Sequence, residues 1–378
     1  MDFDLSDEQR LVGDNLARLL KDKYGFESRK TYAATAHGFS EELWRQYAEL
    51  GLLGAPFAEE DGGYGGGAVE IMLTQEAFGR ALALEPYFAT VVLAGSALRH
   101  GATAEQRAEL IPGIASGELR LALAHAEPQS GWDPLDVKTS AKPDGDGFLL
   151  TGEKGLVVNG DSAHKLIVLA RVGGAQRDRD GLGLFLLNAD APGVTRRGYP
   201  TQDGRRAAEI TLAGARGTAL GEQGKAGPVI LRVLDDAIAA LAAEAAGAMA
   251  EAVEMTTEYM KTRKQFGVPI GSFQALQHRA ADMVVALEQA RSMMYLAVMS
   301  CDEADAATRA RSMSAAKAQI GRSAKFIGQQ ATQLHGGIAM TWEYKLGHLF
   351  KRLTMIDMSC GDADHHLAKL GEGESLFD

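Results

Sequence analysis

The sequence predicts an α+β fold in three consecutive blocks: an N-terminal helical domain over residues 1–119, a middle antiparallel β-barrel or sandwich over 120–226, and a C-terminal helical domain over 227–378. Three observations predict it. Apolar residues recur at helical spacing through the first third. From about Leu121 the period changes to short apolar or β-branched runs separated by turn residues. Beyond Pro228 the helical spacing returns and persists.

In the first block Ser6 and Gln9 form a capping-box pattern ahead of an apolar stripe of Leu11, Leu16, Leu19 and Leu20. Ser40 opens a second helix that carries Leu43 and Tyr47 and stops at Gly51. The run Asp61-Gly62-Gly63-Tyr64-Gly65-Gly66-Gly67 follows no strand and lacks dinucleotide-binding spacing, so it reads as a flexible loop between helices. Helices are expected over 70–101 and 104–117. In the second block strands are expected at 137–141, 148–150, 166–170, 184–187, 208–212 and 217–220. Turn chemistry such as Asp144-Gly145-Asp146-Gly147 joins them, with no helices between, which points to antiparallel pairing. In the third block Pro228 suits a helix start, and Ile230, Leu234, Ile238, Leu241, Ala245 and Ala248 fall on helical spacing. Further helices are expected from Ser272 past Met283, Leu287 and Met294, and from about Ala307 to Leu334, with Gly336-Gly337 as the stop.

Composition narrows the function classes. At 46% hydrophobic and 24% charged, the 378-residue chain has ample core for several domains. A formal net charge of −11 argues against nucleic acid or an anionic membrane as the main partner. The two cysteines, Cys301 and Cys360, are too few for a disulfide framework and point to a reducing cytoplasm. The acidic start Met1-Asp2-Phe3-Asp4-Leu5-Ser6-Asp7 lacks a signal-peptide pattern. No apolar run spans a bilayer, since Glu244 and Glu251 interrupt the alanine-rich stretch.

The stretch from Tyr259 to Gln274 carries the most chemistry. Arg263 and Phe266, three apart, would share one face of a helix. A guanidinium fork and a flat apolar ring together suit the pyrophosphate and adenine of a nucleotide. An arginine near a helix end equally serves the helix dipole, so the spacing alone leaves both readings open.

Arg263-x-x-Phe266-Gly267-x-Pro269-Ile270-x-x-Phe273-Gln274 and the later Gln333-Leu334-His335-Gly336-Gly337 resemble two signatures of the acyl-CoA dehydrogenase family. The resemblance extends in order over essentially the whole chain. It implies that family's fold, with a four-helix C-terminal domain, FAD as cofactor, an acyl-CoA thioester as substrate and an electron-transferring flavoprotein as electron acceptor. The family reaction is α,β-dehydrogenation, in which a glutamate removes the α-proton and the β-hydrogen leaves as hydride to the flavin. The matching cofactor-binding residues are Arg263, Phe266, Gln274, Gln333, Gly336 and Gly337, which in the family reach across a dimer interface to FAD held mainly by the neighbouring subunit.

The rest of the family's equipment is replaced. Cys360 stands where most members carry the glutamate base, and Ala237 stands at the alternative helical position, just after Asp235 and Asp236. Cys360, Asp362 and Asp236 are the in-chain candidates for a substitute base, beside the plainer reading of Cys360 as structural, and no catalytic residue is assigned. The family's Trp-x-Thr beside the flavin ring is Leu156-Val157-Val158 here, and its Thr-Glu-Pro is Ala126-Glu127-Pro128. A chain that keeps the half reaching across the interface and loses its own ring seat resembles members built from two unlike chains, most of all the small subunits of the pimeloyl-CoA dehydrogenase type. The expected partner is a second acyl-CoA dehydrogenase subunit in a heterotetramer. A self-sufficient homotetramer with a relocated carboxylate, and a non-catalytic scaffold, are the competing expectations.

Overall fold

In the computed structural model, which describes residues 5–372, the first helix starts where Ser6 caps it. The capping box is complete: Gln9 N–H donates to Ser6 Oγ, and Ser6 N–H donates to the Gln9 side chain. Most of the acidic start, Met1 to Asp4, and residues 373–378 lie outside the described residues.

The first block contains α1 (Asp7–Lys23), α2 (Phe26–Ala33), α3 (Glu41–Glu49), α4 (Ala68–Ala81), α5 (Gly95–Gly101) and α6 (Ala104–Ala115). Ser40 caps α3 as expected. The helical stretch expected over 70–101 is interrupted. Leu82 takes a positive φ of 58°, and 88–94 form a wholly buried π-helical stretch ahead of α5. The glycine-rich run is a packed loop. Asp61 is buried against Arg107 at 2.8 Å, and a Cβ on Gly63 would lie 2.3 Å from the Phe57 carbonyl oxygen.

The β block contains β1 (Leu121–Ala124), β2 (Ser140–Asp144), β3 (Gly147–Val158), β4 (Lys165–Arg171), β5 (Leu182–Asn188), β6 (Val194–Pro200) and β7 (Arg206–Leu220). Pairing runs β4-β2-β3-β7-β5 and returns from β5 to β4, so the sheet closes into a barrel with β1 and β6 added outside the ring. Most pairs are antiparallel, but β1 lies parallel to β4, with Ala122 opposite Leu166. The two runs expected at 208–212 and 217–220 are one long strand. The polar β6 carries little apolar alternation and escapes sequence reading. Leu150, Leu166, Val168, Phe185 and Ile210 fill the barrel. Arg171 secures the turn after β4, donating to the carbonyls of Leu135, Val137, Gly173, Gln176, Asp178 and Asp180 at 2.9–3.3 Å.

The last block contains α7 (Ala226–Thr262), the two-residue strands β8 (Lys264–Gln265) and β9 (Val268–Pro269), α8 (Gln274–Ser300), α9 (Ala306–His335), α10 (Lys345–Met358) and α11 (Ala363–Gly371). Alanines dominate the buried face of α7 and let it pack closely. Where α7 meets α4, a Cβ on Gly79 would lie 1.9 Å from the Glu244 carbonyl oxygen, and one on Gly247 would lie 1.9 Å from that of Glu76. Glu244 itself is fully buried and takes a two-pronged bond from Arg352 at 2.6 and 2.7 Å.

The chain divides into two compact units. One takes in the residues up to Lys30, Met72–Ala83 and everything from Ile238; the other takes in Thr31–Ile71 and Leu84–Ala237. Among the described residues no helix is long and apolar enough to cross a membrane, and no acid, histidine and cysteine cluster could hold a metal.

Candidate functional site

Arg263 and Phe266 do not share a helix face. Helix α7 ends at Thr262, and the chain turns through the β8–β9 hairpin, where Pro269 has no N–H to continue a helix. Phe266 and Gly267 are its two central residues, with φ of 55° and 84°, the signs of a type I′ turn. Glycine accepts that conformation freely; phenylalanine is strained in it by about 1–3 kcal/mol. The hairpin thereby holds the Phe266 ring out from the chain at 92% exposure, with the edge of the Phe273 ring beside it at a centroid distance of 6.1 Å. Arg263 N–H still donates to the Tyr259 carbonyl at 2.8 Å, so its backbone prolongs the helical turn while its side chain stands in solvent.

Ser272 does not cap the next helix. It lies in a short 3₁₀ turn and donates to the Pro269 carbonyl, and Gln274 opens α8 with an exposed side chain. Gln333 is exposed in the last turn of α9, and Gly336 ends that helix at a φ of 68°, as the sequence led one to expect. Nothing lies within 4 Å of a Cβ built on Gly336 or Gly337, so backbone is open to approach there. The side chains of Arg263, Gln274 and Gln333 have no hydrogen-bond or ion-pair partner among the described residues. The structure thus joins Phe266 to the start of α8. It also ties the ends of α7 and α9 through Tyr259, whose ring stacks on His335 at 4.3 Å. His335 lies inside the second motif, and only its packing reveals it.

Each candidate base is already committed. Cys360 takes a positive φ of 57° in a turn braced by Lys317, which donates to the Asp357 and Gly361 carbonyls at 2.7 and 2.6 Å. Burial pushes its thiol up to about 11, against the pull of Lys317. Asp362 caps α11 by accepting from His365 N–H at 2.8 Å. Asp236 is buried among Ser96, Arg99, His100 and Arg232 at 2.7–3.2 Å. Burial works to raise its pKa, but the His100 hydrogen bond and the Arg99 charge prevail and hold it at about 2. Ala237, beside it, is fully buried.

Of the positions that the resemblance places at the flavin ring, Glu127 and Val157 are engaged within the chain and Leu156 is exposed. Glu127 is buried and accepts from Lys154 Nζ at 2.7 Å and from the N–H groups of Lys138 and Thr139 at 2.8 and 3.0 Å. Burial favours its neutral form, yet Lys154 holds its pKa down at about 2. Val157 is buried, and Leu156 is 52% exposed at a φ of 50°. A depressed folded-state pKa contributes stability that is whole above the ordinary carboxylate pKa of about 4 and is lost as pH falls through the folded value. Urea midpoints should therefore drop steeply between pH of about 4 and about 2. Asp236→Asn should flatten part of that drop; an unchanged acid slope in the variant would remove Asp236 from the account.

Family descriptions for acyl-CoA dehydrogenases match the chain in three consecutive parts: the N-terminal domain over residues 6–118, the middle domain over 122–213 and the C-terminal domain over 227–373. The chain belongs to the acyl-CoA dehydrogenase family. Acyl-CoA dehydrogenases are oxidoreductases acting on CH–CH bonds, with FAD as the family cofactor. This acyl-CoA dehydrogenase chain is 30% identical to the probable acyl-CoA dehydrogenase YngJ of Bacillus subtilis, over 99% of its own length and 97% of that protein. Among solved structures, it is similar to the Tcur3481-Tcur3483 steroid ACAD, at 32% identity and a TM-score of 0.87 over 97% of each chain. It is also similar to PigA with FAD and proline, at 27% identity and a TM-score of 0.89 over 98% of each.

Proposed function

We propose that this chain is one subunit of a hetero-oligomeric acyl-CoA dehydrogenase, in which a complementary subunit supplies the general base and the flavin-ring seat. The observation that carries the reading is that the Asp362 and Asp236 carboxylates are engaged in holding the fold, while burial keeps the Cys360 thiol in its neutral form, so none is suited to take an α-proton. The domains run 1–119, 120–226 and 227–378 in this reading, and the assembly works in the cytoplasm. The likeness to the solved Tcur3481-Tcur3483 steroid ACAD supports both a two-chain assembly and a bulky acyl group on CoA, within the wider range of dicarboxylyl-, fatty- and steroid-side-chain-CoA thioesters. An electron-transferring flavoprotein takes the electrons.

The residues fit one half of FAD. Arg263 is an unpartnered, exposed guanidinium, a rigid two-pronged donor that suits pyrophosphate and keeps its charge. Phe266 offers an exposed ring face to adenine, and the open backbone of Gly336 and Gly337 lets a ligand come close. Gln333, in the last turn of α9, and Gln274, at the start of α8, add exposed amides. At the ring end Leu156, Val157 and Ala126 bring no side-chain hydrogen-bonding group, and the Glu127 carboxylate is occupied by Lys154. FAD when bound supplies the hydride acceptor; this chain's part is to grip its far end.

Expressed alone, the chain should be nearly colourless or lose FAD on dilution, and with its partner it should carry about one FAD per two chains. Near-full flavin on the isolated chain would overturn this reading in favour of a self-sufficient homotetramer. Arg263→Ala should weaken FAD binding in the assembled protein by roughly 10- to 150-fold, the loss of one charge-assisted contact. Unchanged affinity on titration of the apo-protein would reduce Arg263 to a surface charge.

A further inference from the structure

The two motifs of the clamp come from helices far apart in sequence, and one aromatic contact links their ends. Tyr259 lies in the last turn of α7, and its carbonyl holds the Arg263 N–H at 2.8 Å. Its ring stacks on His335 with centroids 4.3 Å apart and planes at 25°. His335 is the last residue of α9, directly before Gly336, and Tyr344 packs on the same imidazole at 5.4 Å and 53°.

The imidazole is 5% exposed. Its Nδ1 lies 2.9 Å from the Ala331 carbonyl, which can only accept, so Nδ1 carries the proton. Its Nε2 is buried and has no partner among the described residues. Burial lowers its pKa, which favours the neutral ring. A histidine used for its charge or for both nitrogens would not sit in this way. What the site uses is the flat ring, fixed in plane by one hydrogen bond and gripped between two tyrosines.

We propose that His335 is a positioning residue of the cofactor clamp: its ring registers the Arg263 hairpin on α7 against the Gly336-Gly337 turn on α9. This rests on the reading of Arg263 and Gly336-Gly337 as the adenine–pyrophosphate grip. Without the stack, the end of α7 and the end of α9 lose the contact that sets their separation, and a ligand touching both must order them as it binds.

The test titrates the assembled apo-protein with ADP, which lacks the flavin ring, and with FAD. His335→Ala should weaken both by the same factor, about three- to tenfold, the range an aromatic pair carries. His335→Phe keeps the ring and discards both nitrogens, and should hold both affinities within about twofold of wild type. Tyr259→Leu opens the stack from the other helix and should match His335→Ala, with the double variant no worse than either single one. It also serves if His335→Ala fails to assemble. Unchanged ADP affinity in His335→Ala or Tyr259→Leu, with Arg263→Ala still weakened, would overturn the positioning role and leave the clamp standing. Failure of His335→Phe to hold affinity would overturn the assignment to the ring face. If Arg263→Ala also binds normally, the clamp reading fails and takes this inference with it.

Discussion

In the proposed two-chain assembly, neutralising the general base of the complementary subunit should cut acyl-CoA turnover by about 10²–10⁴-fold, while Cys360→Ala in this chain should cost no more than a few-fold. The contrast follows from the thiol's surroundings. With burial pushing its pKa up to about 11, Cys360 keeps its proton at neutral pH and makes a poor base. The turn that carries it is held by backbone contacts: His366 Nε2 bonds the Cys360 carbonyl at 2.9 Å, and Lys317 bonds the carbonyls on either side of that residue. Alanine keeps all of these. A loss of about 100-fold in Cys360→Ala, with assembly and FAD content intact, would make the cysteine catalytic after all.

Arg352→Met should destabilise the fold by about 3–5 kcal/mol, because it strands the Glu244 carboxylate in the core without its counter-charge. Glu244 is fully buried on α7, and Arg352 on α10 meets it with both prongs at 2.6 and 2.7 Å. Replacing both partners with apolar residues of similar volume, Glu244→Leu with Arg352→Met, should cost far less than the single change, since no charge is then left dry. Urea denaturation followed by the helical signal measures both. A single-variant cost below about 1 kcal/mol would mean that water reaches Glu244.

Much of the fold was legible because periodicity and punctuation agree. Ser6, Ser40 and Gly336 mark helix ends in the sequence, and they mark them in the structure. The barrel was read less completely. Strand β6, with its Thr195, Arg196 and Arg197, has no apolar alternation to betray it, and the parallel pairing of β1 is a long-range choice that no local pattern encodes. The break at Leu82 needs a left-handed leucine, which only tertiary packing can impose. At the candidate site the motifs fixed which residues to watch, but not their posture. Spacing alone set Arg263 and Phe266 on one helix; the Gly267 and Pro269 signals lay in the same stretch and meant a hairpin. The engagement of Asp236 with α5, and of Glu127 with Lys154, joins residues distant in sequence and leaves no trace in any short window.

The Phe266 hairpin bears on how the chain lives in a cell. It is a stiff projection that ends in an almost bare aromatic ring, with Val268 and Phe273 also part-exposed beside it at 40% and 38%. Covering such surface is favourable by about 25 cal/mol for each Å² removed from water, whoever does the covering. In the proposed assembly of two unlike chains, the adenine of the cofactor held by the companion chain would supply part of that cover. When one chain is made in excess, the surplus copies present the same adhesive tip to each other and to unrelated proteins. In the proposed two-chain assembly, balanced synthesis of the two polypeptides and early pairing after release from the ribosome are the expected consequences of this four-residue turn.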